Sequence, residues 1–376
     1  MTKTGCFTSL QLLAKRLLPC TKQTSTHNDN KPINHGPTLV IHGGAGAILK
    51  KNLTDEKRLE YIQALKEALN IGYNILEKGG RAVDAVEAAV RIMEDSPLFN
   101  AGKGSVFTLS GKNELESSIM LGTPSHPAGA TTLLHTVKNP ITLAKTVLFD
   151  PEVPHVFLGG EEAEKYAREQ GLETVDPCYF WTEARWKQHL EGLGKGRTKG
   201  REAEGYPNEN WINGSEAEKN ILHYDAGIRK GECIDPNPMG TVGAVAVDYD
   251  GVIAVATSTG GRNNKKDGRI GDTPLIGCGT WADNETCGVS GTGNGEFFIR
   301  YVIAKEVASR MEYLNESVEL AASAVINRMS NVGGEAGVIA LDKYGNFAMP
   351  FNTQAMFRGF IRVSDGIPHA YIFPDD

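Results

Sequence analysis

Three features that would narrow the class of function are missing from this 376-residue sequence. No apolar run approaches the ~18 residues that a membrane-spanning helix requires, so no membrane partner is expected. Basic residues are not in excess, since 39 Lys and Arg face 46 Asp and Glu, which argues against a nucleic-acid partner. The six cysteines form no Cys-x-x-Cys pair and no zinc-finger spacing with histidine, which favours a reducing compartment, the cytoplasm.

Glycine, by contrast, is abundant: 43 of the 376 residues are glycine, against a usual share of about 7%. The glycines gather in short clusters, namely HGGAGA (42–47), STGG (258–261), GTGNGE (291–296) and the pair at 333–334. Such clusters are typical of tight turns and close backbone approaches. The ordinary content of hydrophobic (40%) and charged (23%) residues predicts a globular protein with a sizeable core.

Residues 1–36 are predicted to be a disordered or targeting extension that precedes the folded part. Residues 1–28 contain basic residues and no acidic one, and the segment LQLLAKRLL is amphipathic. The extension lacks the uninterrupted apolar run of a secretory signal. A mitochondrial presequence within residues 1–35 is the alternative to a plain disordered extension.

From residue 37 onwards, the apolar pattern predicts an α+β fold in one structural domain. Strands are predicted at TLVIHGGAGA, GSVFTL, SSIML, GATTLL and CGVSG, and in the hairpins TVGAVAVDYDGVIAVATS and GVIALDKYGNFAMPFN. Helices are predicted at TDEKRLEYIQALKEALNIGYNILE (capped by Thr54), RAVDAVEAAVRIMED, NPITLAKTVLFD, GGEEAEKYAREQG, GNGEFFIRYVIAKEVASRM and VELAASAVINRM. Because strands and helices come in blocks, antiparallel sheets covered by helices are expected.

A charged, glycine-rich segment without apolar periodicity interrupts this pattern from about residue 190 to residue 238. Its composition predicts a flexible linker rather than a core element. The linker ends just before Gly240, and the alternation of a buried strand begins abruptly at Thr241.

Thr241 has two interpretations. A Gly-Thr pair before an alternating apolar run is most often simply the start of a core strand. Alternatively, cleavage of the Gly240–Thr241 bond would give Thr241 a free α-amine with a pKa of roughly 7.7–8, which could take the proton of its own hydroxyl group. Histidine offers no obvious base, because His369 is the only one after Thr241, and no Gly-x-Ser-x-Gly elbow is present.

Several motifs together resemble the plant-type L-asparaginase/isoaspartyl peptidase family of N-terminal nucleophile hydrolases. They occur in family order across about residues 38–376, the linker excepted: HGGAGA, PLFNAGKGSVF, GTVGAVAVD, STGGRNNKKDGRIGDTPLIGCGT, SGTGNGEFFIR and MPFNTQAMFRG. The resemblance implies a four-layer αββα sandwich and a precursor that cleaves itself between Gly240 and Thr241. The products would be an α chain (37–240) and a β chain (241–376) that stay together, in a dimer of αβ heterodimers.

The resemblance also implies which residues carry out the reaction. Thr241 would be both the autoproteolytic residue and the nucleophile, and Thr259 matches a threonine that hydrogen-bonds near it. Thr292 and Gly293 match an oxyanion hole, in which a hydroxyl group and a backbone N–H face the developing negative charge. Without the resemblance, a threonine such as Thr259 in a glycine turn would be expected to make only a local turn bond.

A second group of residues matches the part of the site that holds the substrate. Arg269 and Asp272 match the pair that binds the carboxylate and the ammonium group of the substrate's amino-acid head. Gly295 would let the backbone approach the substrate closely, and Asn100 matches an asparagine near the nucleophile. Taken alone, each of these residues also fits an ordinary solvated turn.

The loop RIMEDSPLFNAGKG resembles one that family members wrap around a sodium ion with backbone carbonyl groups. By position, these carbonyl groups would belong to Met93, Glu94, Ser96, Phe99, Ala101 and Lys103. Carbonyl ligation leaves no side-chain pattern, so this site rests on the resemblance alone. No organic cofactor is expected.

The implied reaction is hydrolysis of L-asparagine, β-aspartyl (isoaspartyl) dipeptides or both, through a covalent acyl-enzyme. Two segments depart from the family pattern. ELESSIMLG has Glu116, Ser117 and Leu121 where ELDASIMDG is common, and FNTQAMFRG has Gln354 and Ala355 where an acid and a glycine are frequent. These departures put the substrate preference and the maturation of the chain in doubt.

Three alternatives remain open at this point. A glycosylasparaginase would act on glycan-linked asparagine by the same mechanism, but a secretory signal would then be expected. A threonine endoprotease of the same superfamily would cleave folded proteins, whereas the motifs HGGAGA and GRIGD favour small substrates. An uncleaved, non-enzymatic member would act as a binding or scaffold protein, and the intact set of motif residues argues against it.

Overall fold

The structure, a computed structural model, describes residues 35–152, 155–195, 240–364 and 366–376. Residues 1–34 of the predicted N-terminal extension and most of the predicted linker therefore lie outside the described residues. The helices are α1 (Asp55–Glu77), α2 (Ala82–Asp95), α3 (Pro140–Leu148), α4 (Gly160–Glu169), α5 (Glu183–Lys195), α6 (Gly295–Tyr301), α7 (Ile303–Leu314) and α8 (Val318–Asn331). The strands are β1 (Thr38–Gly46), β2 (Leu115–Leu121), β3 (Ala128–Leu134), β4 (Phe157–Gly159), β5 (Val242–Val247), β6 (Ile253–Thr259), β7 (Thr280–Ala282), β8 (Cys287–Gly293), β9 (Ala336–Asp342), β10 (Phe347–Ala348), β11 (Ala355–Arg362) and β12 (His369–Tyr371).

The strands form two sheets. The larger sheet has the order β12-β11-β1-β5-β6-β2-β3-β4, and its neighbouring strands are antiparallel except for the parallel pair β3 and β4. The smaller sheet has the order β10-β9-β8-β7 and is antiparallel throughout. Mixed helices and sheets of this kind confirm the predicted α+β class.

Strand β1 illustrates how the larger sheet is covered on both faces. Leu39 and Ile41 join a buried cluster with residues of α1 such as Leu65. Val40, which points the opposite way, joins a different cluster that includes Ile339 of the smaller sheet. Because successive side chains alternate between the faces, a strand covered on both sides has consecutive apolar residues, as at Leu39, Val40 and Ile41. A further cluster places α6, α7 and α8 against β8 and β9.

The predicted single helix over residues 293–311 is wrong, because the chain breaks at Val302. This residue adopts φ 52° and ψ 51°, and the helix is divided there into α6 and α7. A left-handed residue ends the regular ladder of hydrogen bonds. The apolar periodicity gave no warning, since a β-branched residue rarely takes this conformation. The predicted cap of α1 is confirmed: Thr54 Oγ1 accepts a hydrogen bond from the Lys57 N–H at 3.2 Å.

The predicted strand GSVFTL (104–109) is also wrong, because this segment is a loop apart from a short 3-10 turn that ends at Gly104 and an isolated bridge between Thr108 and Lys265. Side-chain amides replace the partners that a neighbouring strand would provide. Asn113 Nδ2 donates to the carbonyl oxygens of Ser105 and Val106 at 3.0 and 3.1 Å. Asn100 Oδ1 accepts the Val106 N–H at 3.0 Å. These contacts satisfy the backbone locally and keep the loop buried.

We expect Val302→Asn to stabilise the protein by about 1 kcal/mol, because asparagine tolerates the left-handed region better than valine does. The measurement is the midpoint of denaturant-induced unfolding. Val332→Asn is the matched control, since Val332 is also partly exposed but has an ordinary φ of −100°. Equal effects of the two substitutions would show that Val302 stores no backbone strain.

Candidate active site

Thr241 directly precedes β5, one of the central strands of the larger sheet. The neighbouring pair Val242 and Ser258 places it beside the end of β6. Its Oγ1 donates a hydrogen bond to Thr259 Oγ1 at 3.3 Å, and Thr259 Oγ1 also accepts the Gly261 N–H at 2.9 Å. The structure therefore brings the two predicted threonines together, with Thr241 only half-buried and Thr259 buried.

The backbone of Gly240 packs directly against the backbone of the HGGAGA segment. The pairing of β1 with β11 shifts register between His42 and Gly44, so the chain bulges at this point. A Cβ atom on Gly240 would lie 2.5 Å from Gly44 Cα and 2.7 Å from the Gly43 carbonyl oxygen. A Cβ atom on Gly44, whose φ is 111°, would overlap Gly240 Cα. Glycine is thus required on both sides of this contact.

Thr292 and Gly293, the predicted oxyanion pair, end strand β8. Thr292 is buried, and its Oγ1 accepts the Ala45 N–H at 3.2 Å. This hydrogen bond uses an oxygen lone pair, so the hydroxyl hydrogen can still be donated to another group. Gly293 has φ 138°, and a Cβ atom there would overlap the Glu335 carbonyl oxygen.

Arg269, Asp272 and Gly295, the predicted substrate-binding residues, lie close together. A Cβ atom on Gly295 would lie 2.6 Å from Asp272 Oδ1 and 2.9 Å from Arg269 Nη2. Glu296, for which no role was predicted, contacts Arg269 Nε at 3.1 Å and Nη2 at 3.0 Å through its Oε1. Because Glu296 directly follows Gly295 in GTGNGE, the motif that supplies the glycine also supplies a partner for the arginine.

Asp272 is a buried carboxyl group with an unusual pKa. Burial raises the pKa of Asp272 to about 7, and the positive charge of Arg269 opposes this rise. Glu116 and Glu296 raise it further by repulsion. The carboxyl group therefore changes charge close to neutral pH.

Asn100 holds the turn that follows Thr259. Its Nδ2 donates to the Gly261 carbonyl oxygen at 2.7 Å, and its own carbonyl oxygen accepts the Gly260 N–H at 3.0 Å. The family resemblance predicts Asn100 near the nucleophile. In the structure, Asn100 binds the turn at Gly260 and Gly261, which directly follows Thr259.

The predicted sodium loop lies at the end of α2 and in the turns after it. Glycines let the loop wind tightly: a Cβ atom on Gly102 would overlap the Glu94 carbonyl oxygen, and one on Gly104 the Phe99 carbonyl oxygen. Several backbone carbonyl groups thus crowd a short loop, which fits a hard cation bound by oxygen atoms. The six predicted ligands remain a prediction. Elsewhere in the described residues, no three His, Cys, Asp or Glu side chains form a metal-binding group.

His42 of β1 lies beside β5, and the sequence offered no obvious histidine base for Thr241. It is fully buried, its Nε2 lies 2.8 Å from Ser290 Oγ, and it faces Gly243 across β1 and β5. Burial lowers the pKa of His42 to about 3, against a smaller opposing effect of the Thr241 backbone. The ring is therefore neutral at physiological pH and too weak a base to activate a hydroxyl group. This strengthens the case for the α-amine of Thr241 as the base.

Helix α5 continues to Lys195, so the predicted start of the linker near residue 190 is wrong. His189 is buried, and its Nδ1 lies 2.5 Å from Asn264 Oδ1. Asn264 Nδ2 donates back to the His189 carbonyl oxygen at 3.2 Å, and Arg185 Nε donates to the Gly104 carbonyl oxygen at 2.7 Å. The two glycines within α5 lower its helix propensity, which hid it in the sequence.

A threonine at the start of a central strand, a second hydroxyl group beside it and a nearby arginine–aspartate pair define a candidate hydrolase site for a small charged substrate. A family model described as asparaginase matches residues 35–372. This chain belongs to the asparaginase family. Among the described residues, no helix is both long and apolar enough to span a bilayer.

Curated relatives from distant organisms are similar over most of their length. The isoaspartyl peptidase of Escherichia coli is 40% identical over 323 residues, which cover 86% of this chain and 92% of that protein. The isoaspartyl peptidase/L-asparaginase of Danio rerio is 38% identical, with 85% and 90% covered. The plant-type L-asparaginase of Pyrococcus horikoshii is 38% identical, with 86% and 96% covered.

The family resemblance implies cleavage between Gly240 and Thr241. We expect Gly44→Ala to block or strongly slow this cleavage, because the added Cβ displaces Gly240. The measurement is the fraction of two-chain protein over time, by denaturing electrophoresis and N-terminal sequencing. Gly79→Ala is the matched control: Gly79 also has a positive φ, 77°, but its Cβ would meet nothing within 4 Å. Normal cleavage in Gly44→Ala would contradict the importance of this contact.

Proposed function

We propose that this protein is an autoprocessing threonine amidohydrolase that hydrolyses L-asparagine, β-aspartyl dipeptides or both to aspartate. The observation that carries the proposal is the position of Thr241, which directly precedes a central strand with its Oγ1 3.3 Å from Thr259 Oγ1. The names of the relatives, isoaspartyl peptidase and L-asparaginase, support the substrate class.

Maturation is the cleavage of the Gly240–Thr241 bond, which yields the α chain 37–240 and the β chain 241–376. The tight contact of Gly240 with Gly43 and Gly44 supports this step, because it fixes the carbonyl side of the bond relative to Thr241. Cleavage exposes the α-amine of Thr241, whose ordinary pKa of roughly 7.7–8 suits a base near neutral pH.

Hydrolysis then proceeds through an ester on Thr241. The α-amine takes the hydroxyl proton while Oγ1 attacks the side-chain carbonyl carbon of the substrate, and the Thr292 hydroxyl and the Gly293 N–H donate to the resulting oxyanion. The C–N bond breaks, and the α-amine passes its proton to the leaving ammonia or amine. Water attacks the ester with help from the same amine, aspartate leaves, and the proton returns to Oγ1.

Arg269 and Asp272 hold the amino-acid head of the substrate. The guanidinium group pairs with the α-carboxylate, and the ionised carboxylate of Asp272 pairs with the α-ammonium group. The approach of both side chains to Gly295 supports this role, because a residue without a Cβ lets the two charged groups lie side by side against the backbone. Since the pKa of Asp272 is about 7, protonation below this pH removes its charge and weakens binding.

The remaining expectations from the family stay proposals. The clusters on both faces of the larger sheet and on the outer face of the smaller one support a four-layer αββα sandwich. A dimer of αβ heterodimers and a structural sodium ion in the loop from Met93 to Lys103 complete the proposed enzyme. A glycosylasparaginase-like amidase and an uncleaved, non-enzymatic protein are the alternatives that the experiments below distinguish.

We expect Thr241→Ala to remain a single chain and to show no hydrolysis of L-asparagine or β-aspartyl dipeptides. Thr241→Ser is the matched control, because it keeps both the hydroxyl group and the α-amine and should mature with reduced rates. Chain mass and ammonia or amino-acid release are the measurements. A Thr241→Ala protein that matures and stays active would remove the mechanism. Wild-type protein that never cleaves would support the non-enzymatic alternative. Activity restricted to glycan-linked asparagine would support the glycosylasparaginase-like alternative.

We expect Arg269→Ala to raise KM by about 10- to 100-fold, the loss of a charged hydrogen bond, with kcat changed by less than about threefold. Steady-state kinetics with a β-aspartyl dipeptide measure both constants. Arg91→Ala, which removes an exposed arginine from α2, should leave them unchanged. An unaltered KM in Arg269→Ala would assign carboxylate binding to another residue.

A further inference from the structure

A buried cluster of charged side chains lies behind the turn that carries Arg269. Glu114 and Glu116, at the start of β2, approach Lys265 Nζ to 3.8 and 3.4 Å. The side chains are at most 7% exposed. Lys265 Nζ also donates to the Glu114 carbonyl oxygen at 2.9 Å. Charged groups are rarely buried this completely unless paired, and removing one partner leaves the other uncompensated.

The two carboxylates hold the turn at both ends. Both oxygens of Glu114 accept the Gly268 N–H at 3.0 Å, and Glu116 Oε2 accepts the Gly271 N–H at 2.9 Å. Arg269 lies between these two anchored residues, and Asp272 follows directly. The backbone that carries Arg269 and Asp272 is therefore held in place by hydrogen bonds to Glu114 and Glu116.

Glu116 also acts on the site through its charge. The groups that face Asp272 are Arg269 on its own turn, Glu116 from β2, Glu296 from α6 and the Cys278 thiol on the turn that follows. Glu116 repels the ionised form of Asp272. Lys265, which carries the opposite charge, lies 3.4 Å from Glu116 Oε1.

We propose that Glu116 and Lys265 form a positioning pair for the substrate's amino-acid head: Glu116 anchors the turn that carries Arg269, and Lys265 balances its charge beside Asp272. This inference rests on the proposed function and extends it to two residues that do not touch the substrate. Glu116 stands where the common family motif ELDASIMDG has aspartate.

The two members of the pair have opposite effects on the pH dependence of binding. Asp272 must be ionised to hold the ammonium group, so KM rises as the pH falls through the pKa of Asp272. Glu116→Gln keeps an oxygen that can accept the Gly271 N–H but removes a negative charge. The loss of this charge lowers the pKa of Asp272, so the rise in KM moves to lower pH. Lys265→Met leaves the negative charge of Glu116 unbalanced, which moves the rise to higher pH.

The experiment measures kcat and KM of the mature, full-length enzyme for a β-aspartyl dipeptide between about pH 5 and pH 9. We expect the rise in KM to move by about half a pH unit or more, in opposite directions for Glu116→Gln and Lys265→Met, with kcat at high pH changed by less than about threefold. The matched controls are Glu285→Gln and Lys343→Met, which remove the members of an exposed ion pair of 3.3 Å. They should leave the pH profile unchanged.

Shifts in the same direction, or none, would overturn the proposal. If one variant does not mature, the direction in which the rise in KM moves in the other variant still tests the proposal. If neither matures, the pair is required for folding and the positioning role is rejected. Wild-type enzyme that hydrolyses neither substrate refutes the proposed function instead, and the pH dependence of aspartate binding, measured by calorimetry on wild type and both variants, then tests the pair separately.

Discussion

The contact between Gly240 and the bulge of β1 is the constraint on which the site depends. At this point two backbone segments touch without any side chain between them. The same bulge carries Ala45, whose N–H binds Thr292 Oγ1 at 3.2 Å. A single bulge in β1, an interior strand of the larger sheet, therefore fixes the position of Thr292, a proposed oxyanion donor, relative to the start of β5. Regular pairing could not achieve this, because a continuous ladder would keep the two backbones a strand spacing apart.

Around this contact, part of the interior between the two sheets is polar, whereas another part holds an apolar cluster. His42, Ser290, Thr257, Thr280 and Ser118 form a continuous series of hydrogen bonds of 2.6 to 2.8 Å. Buried hydroxyl groups require such partners, and each hydrogen bond narrows the rotamers of its neighbours. The floor of the site is thus made of short, mutually fixed side chains, whereas the rest of the core is packed with aliphatic residues.

Much of the fold was predictable because apolar periodicity and turn residues carry it: β1, β5, β6 and the helices α1 and α2 all follow their patterns. The failures have physical reasons. Val302 breaks a helix against its own preference, and the loop around Ser105 is held by the amides of Asn100 and Asn113 rather than by a strand. Helix α5 contains two glycines and is stabilised by docking, as at His189. No local pattern records such distant contacts.

In the candidate site, too, some residues were predictable from local sequence and others were not. Motif resemblance placed Thr241, Thr259, Arg269 and Asp272, which the structure brings together in two neighbouring groups. The supporting charges, such as Lys265, were not predictable, because a lysine in a loop is normally solvated and only the three-dimensional fold buries it. Lys265 lies in the same recognisable motif as Arg269 and Asp272, which are proposed to act on the substrate, but only long-range packing shows that Lys265 is buried and paired.

The strand order has a consequence for the two chains that the proposed cleavage before Thr241 would produce. In the larger sheet, β12 and β11 would belong to the second chain, β1 to the first, β5 and β6 to the second, and β2, β3 and β4 to the first. The two polypeptides would be interlaced, so neither could leave without breaking hydrogen-bonded ladders on both sides of β1. Two halves synthesised from separate messages would have to fold around each other, because no finished half exists that could simply dock.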